Sequence, residues 1–199
     1  MLAWSESVLD LAEEQIGQID AIYAKTLEAN EVSGRLQALV KNVLDNQRSA
    51  LEFVAYAVVE TYGDTSKLGK VHWPNTTDPT KFQGLFDFRV PGVRANRSDI
   101  ADAFERHQEF QPDHEWATRL FPLSVENKHH MLSPQTNESL VPRPIMSPSY
   151  PGRPIHITPT VVFIDWTFAD HGVPVLNTLK AIQHGVSVAV QDVSAVAGL

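Results

Sequence analysis

Residues 35 to 62 carry an apolar stripe at helical spacing that is interrupted at its centre by polar side chains. Leu36, Val40, Val43, Leu44, Leu51, Val54 and Val58 fall along one side of a helix. Gln47 lies in the middle of that arc and Arg48 at its edge. A second intrusion follows downstream. Trp116, Leu120, Leu123, Asn127 and Met131 recur at steps of three or four, and Glu126, Asn127, Lys128, His129 and His130 break into the run. Polar groups on a packed helix face are costly unless they find partners, so the simplest expectation is that the two segments meet.

The rest of the chain supplies the helices around them. Residues 5 to 30 read as a first helix, with Val8, Leu11 or Ala12, Ile16, Ile19, Tyr23 and Leu27 on its apolar side and Ser5 as N-cap. Gly63 closes the second helix. Residues 63 to 93 are turn-rich, with Val71 to Trp73 and Leu85 to Phe88 as short strands or docked loop aromatics. Ser98 caps a third helix and Asp113 a fourth, which Pro122 should kink or split. Residues 134 to 154 hold six of the 13 prolines and read as an extended arm. Residues 155 to 176 form a hairpin turning at Asp170, His171 and Gly172, and Asn177 caps a last helix bearing Leu179, Ile182, Val186 and Val193. The expected fold is mainly α: one domain over 1–199, a helical bundle of four to five helices with a β-hairpin before the C-terminal helix.

Composition narrows the functional classes. Lys and Arg number 16 against 24 Asp and Glu, a net charge of −8, which opposes nucleic-acid binding by bulk electrostatics. Without cysteine there is neither a disulfide framework nor a thiolate metal site. No apolar run is long enough to span a membrane, and the N-terminus does not read as a signal peptide, so a cytoplasmic protein is expected. The eight histidines show no H-E-x-x-H spacing, and no phosphate-loop, dinucleotide or nucleophile-elbow motif occurs, so no metal or cofactor is expected.

The polar segments allow two readings. In one they form an internal network, Gln47 and Asn127 tying two helices in register while Arg48 pairs with Asp45, Glu52 or Glu126. In the other they line a shallow site. Arg48 would grip an anion with its fork of donors, Asn127 would orient it, and His129 would move a proton, with Gln47, Lys128 and His130 as binding residues.

Leu44-x-x-Gln47-Arg48-Ser49-Ala50-Leu51-Glu52, followed by Leu123-x-x-x-Asn127-Lys128-His129, resembles a group of bacterial and phage proteins with Arg-Ser-Ala-Leu and Asn-x-x-Lys-His helices. Here Lys128 follows Asn127 directly. Such proteins are similar in turn to the HEPN superfamily of helical, often dimeric proteins, many of them RNA-cutting toxins or defence components. The resemblance implies an RNA- or nucleotide-directed site in which Arg48 works with an imidazole, and a homodimer. The His expected a few residues after the Arg is replaced by Phe53, so the imidazole would come from His129 or His130. The alternative is a non-enzymatic phage or mobile-element accessory protein whose acidic surface and proline-rich arm engage a protein partner.

Overall fold

The computed structural model describes residues 2–29, 32–126, 133–135, 165–168 and 171–199. Two long helices, α1 (Leu2–Ala29) and α2 (Gly34–Tyr62), open the chain. They pair as the alternation of their buried residues dictates. Ser5, Leu9, Ala12, Ile16, Ile19 and Tyr23 of α1 are buried at alternating steps of four and three, and so are Leu36, Val40, Val43, Gln47, Ala50 and Val54 of α2. That period keeps one seam facing a partner over many turns. Small residues bring the backbones together near one end, where the Ser5 hydroxyl donates to Ala50 O at 2.9 Å. Further along, Asn46 Nδ2 donates to Gln15 Oε1 at 3.0 Å, so the helices are antiparallel.

The last helix, α7 (Val175–Ala197), completes a three-helix centre. It runs parallel to α2: Gln47 Nε2 donates to Leu179 O at 3.0 Å, and the Tyr62 hydroxyl to Ala197 O at 2.6 Å. It is antiparallel to α1, with Gln183 Nε2 donating to Leu9 O and Lys180 paired with Asp20. Between α2 and α7 the chain forms a 3-10 turn (Thr65–Lys70), α3 (Pro79–Arg89), α4 (Val93–Asn96), α5 (Ser98–Arg106) and α6 (Glu115–Glu126). Strands β1 (Ser133–Gln135), β2 (Asp165–Phe168) and β3 (Val173–Pro174) follow, in the antiparallel order β1-β2-β3. The fold is thus mainly helical, with a small hairpin before the C-terminal helix.

The hairpin docks through α1. The buried Tyr23 hydroxyl donates to the Asp165 carboxylate and accepts from Trp166 N at 3.0 Å. Burial first, and then the bond to Asp165, pushes the phenol above its ordinary pKa, so it stays a donor. Trp166 Nε1 reaches Thr26 Oγ1 at 3.0 Å.

Several local expectations need correction. Because α1 begins at Leu2, Ser5 is an interhelical donor and not a cap. Gly63 ends α2 with an extended backbone: a Cβ there would lie 2.5 Å from Pro91 O, so close approach and not a left-handed turn requires glycine. Leu85 to Phe88 are helical, because Asp78 caps α3 by accepting from Thr80 N at 2.9 Å and Pro79 fills its first turn. Asp113 has φ 64° and makes a turn, while α6 starts at Glu115 and runs through Pro122. Ser98 and Asn177 lie inside α5 and α7, whose caps are Arg97 and Pro174. The proline-rich arm, apart from its first two residues in β1, lies outside the described residues, as do residues 155–164 of the expected hairpin strand and Asp170 of its turn.

Candidate functional site

Arg48 and Glu52 stand one turn apart on α2, at the border between its buried arc and solvent. The guanidinium is held from three sides. Its Nε lies 3.7 Å from Glu52 Oε1, NH1 donates to Ser124 Oγ of α6 at 3.3 Å, and the group sits 5.8 Å from the centre of the Phe121 ring. Glu52 has a second set of partners in the segment after the 3-10 turn. There Val71 and Trp73 are buried and His72 between them is exposed, the alternation of an extended chain with one face on the core. Trp73 packs 4.6 Å from the Phe104 ring, which fixes the segment. Trp73 N then donates to Glu52 Oε2 at 2.8 Å, and His72 Nδ1 lies 3.3 Å from the same oxygen. His72 N donates to Arg89 O at 3.2 Å, which ties in the last turn of α3.

These groups line a cleft of about 250 Å³, with Asn75 and Leu85 as further walls. Two buried polar atoms beside it lack a hydrogen-bond partner, Trp73 Nε1 and Asn75 Oδ1, while Asn75 Nδ2 donates to Glu109. The cleft therefore combines the Arg48 guanidinium, one carboxylate and one imidazole, and Arg89 lines it with its guanidinium 5.2 Å from the centre of the Phe88 ring. Glu52 faces the Nδ1 edge of the ring, which leaves Nε2 as the nitrogen for a ligand. Guanidinium forks bind phosphate or carboxylate oxygens, and a carboxylate-held imidazole can accept or return a proton.

Of the residues singled out from sequence, Arg48 lies in this cleft. Gln47 does not line it. Its side chain is fully buried among α1, α2 and α7, donating to Leu179 O and to Gln183 Oε1 at 3.1 Å. The bond from Arg48 to Ser124 joins α2 to α6, but Asn127, Lys128, His129 and His130 lie outside the described residues. Phe53 packs toward α1, its ring 6.2 Å from that of Trp4. Sequence reasoning did not join His72 or Arg89 to Arg48. The alternation Val71-His72-Trp73 contained the clue to His72; the place of Arg89 depends on α3 being a helix.

A second polar cluster fastens α5 to α7. Asp192 accepts from Arg106 NH2 and lies 2.9 Å from Nε2 of the buried His107. Burial pushes the imidazole below its usual pKa despite the carboxylate beside it. Burial would raise the Asp192 pKa, but hydrogen bonds from His107 and Arg106 hold it below the usual carboxylate value. A neutral imidazole donating to an ionised carboxylate follows. No group of three or more His, Asp or Glu side chains among the described residues could hold a metal ion, and no described helix is long and apolar enough to cross a membrane. Comparison with known proteins finds no family model, no curated protein and no solved structure that matches this chain.

Proposed function

We propose that the cleft between α2, α3 and α6 is a phosphate-directed site that takes a nucleotide or a single-stranded RNA phosphate. Arg48 and Arg89 hold the phosphoryl oxygens, and His72, oriented by Glu52, moves the proton. One observation carries this reading: Glu52 draws His72 and the Trp73 backbone to one carboxylate, beside the Arg48 guanidinium in a cleft that Arg89 also lines. The resemblance to HEPN proteins, which pair an Arg with an imidazole, supports it, with His72 supplying the imidazole where Phe53 stands in the chain. The net charge of −8 argues against a duplex and for a short ligand gripped locally.

Fluorescence anisotropy with a labelled single-stranded RNA 12-mer at low salt, alongside strand-cleavage assays, tests the proposal. Arg48→Gln and Arg89→Gln should each weaken binding by about tenfold, the scale of one charge-assisted contact. His72→Gln should leave affinity nearly unchanged and remove strand cleavage. Binding that is absent, or indifferent to both arginines, contradicts the assignment.

A further inference from the structure

The outer side of the α1–α2 pair carries a second seam. On α1, Trp4, Val8, Leu11, Gln15, Gln18 and Ile22 recur at alternating steps of four and three, each one position before a residue of the buried row. A row with that period keeps one line facing a partner over many turns. The buried row already has its partners in α2 and α7, but the outer row is open: Trp4 is 64% exposed and Leu11 44%. Trp4 leans on Phe53 of α2, ring centres 6.2 Å apart, and Asn46 bonds to Gln15 across the pair. The face is therefore continuous from one helix to the other.

No charge interrupts this face, although the chain carries 16 basic and 24 acidic residues. The α1 row has none from Trp4 to Ile22. The adjoining α2 row, Leu39, Asn42, Asn46, Ser49, Phe53 and Tyr56, repeats the alternation of three and four and has none either. Charge appears only where that row runs out, with Arg35 one turn before Leu39 and Glu60 one turn after Tyr56. Both are exposed, and neither side chain pairs with a described residue. Their separation is close to seven turns, so they share a side of α2 about 37 Å apart. One molecule cannot bring them together.

We infer that this face joins two copies of the chain. With the two-fold axis in the contact plane and across the helices, α1 lies antiparallel on the partner's α1, and α2 on the partner's α2. Trp4 then lies toward the Ile22 end of the partner's α1, and Arg35 meets the partner's Glu60 at both ends of the contact. A copy with a net charge of −8 is repelled by another, and an uncharged face with a cation at one end and an anion at the other is where a second copy can approach. The face is about 27 Å long and two helices wide, about 500 Å² on each copy and about 1,000 Å² together. That is the lower limit for a specific interface, so the dimer is a reversible one. Arg48 stands on the other side of α2, toward Ser124 of α6, so the phosphate cleft stays open in the dimer and the two readings stand or fall separately.

Sedimentation equilibrium of the natural chain from about 1 to about 500 μM should show a monomer–dimer equilibrium with a micromolar Kd. Leu11→Glu places an acid at an exposed position near the centre of the face and should weaken association by about tenfold or more. Circular dichroism melts check that each variant remains folded. The discriminating pair is Arg35→Glu and Glu60→Arg. Alone, each variant sets like charges against each other at both ends of the contact and should self-associate about threefold to tenfold more weakly. Mixed, each supplies the charge that the other needs at both ends, and the mixture should associate as tightly as the natural chain. A natural chain that stays monomeric to about 500 μM overturns the inference and leaves the face to another protein. A dimer indifferent to Leu11→Glu, or a mixture no tighter than its components, overturns it as well.

Discussion

Gln47 has no exposed surface, yet its amide joins three helices. It donates to a backbone carbonyl of α7 and to Gln183, which in turn donates to Leu9 of α1. Cutting it to alanine removes these bonds and opens a cavity in the seam. Gln47→Ala should therefore destabilise the protein by about 2–4 kcal/mol in urea unfolding, the sum of a lost buried bond and an unfilled core volume. A loss below about 0.5 kcal/mol, the scale of an ordinary surface change, would mean that the amide is not part of the packing. His107 gives the residue scale its pH dependence. Its folded pKa is depressed below the ordinary 6.5, so the unfolded chain binds the proton more readily. Its stabilising contribution is full above pH 6.5 and is lost as pH falls through the lower folded value. Asp192, also depressed, adds a loss of the same sign below its ordinary 3.8. Unfolding free energy should thus decline from pH 7 to 5, and His107→Gln should flatten that slope; an unchanged slope in the variant would remove His107 as its origin.

At the scale of elements, the α6–α7 crossing turns on one missing methyl group. A Cβ on Gly185 would stand 2.2 Å from Cγ of Trp116, inside the ring's own volume. Gly185→Ala should cost about 1–3 kcal/mol or more through overpacking, whatever it gains in helix propensity. Gly17→Ala in α1, where nothing lies within 4 Å, is the control and should stabilise by about 0.5–1 kcal/mol. Thermal melts of the two variants should move in opposite directions; a shared direction would contradict the packing described for Trp116. The three long helices were readable in the chain because buried residues repeat at helical steps over five or more turns, as from Leu36 to Val58. The short ones were not. Phe86 and Phe88 alternate as a strand would, whereas Phe82, Leu85 and Phe86 at steps of three and four, with the Asp78-Pro79 start, mark α3 as a helix. The candidate site was half readable for the same reason. Arg48 stands out against the α2 stripe, whereas His72 and Arg89 reach it through a 3-10 turn and a short helix whose two apolar spacings compete.

At the scale of the whole molecule, one buried cluster runs from Leu9 to Ala197 and leaves several concave features on different elements. The Arg48 cleft draws on α2, α3 and α6 and holds positive groups. The proposed phosphate site would need cations concentrated locally in an acidic protein, and Arg48 and Arg89 both line this cleft with His72. The most direct test is a nitrogen-15 NMR titration of the natural chain with adenosine monophosphate. The expected result is saturable shifts confined to the Arg48 and Arg89 guanidinium Nε–H, the Trp73 indole and the amides of Glu52 and His72, all lost in the folded double variant Arg48→Gln, Arg89→Gln. Shifts that cluster elsewhere, that persist in the double variant, or that fail to appear at millimolar nucleotide would contradict a phosphate site in this cleft.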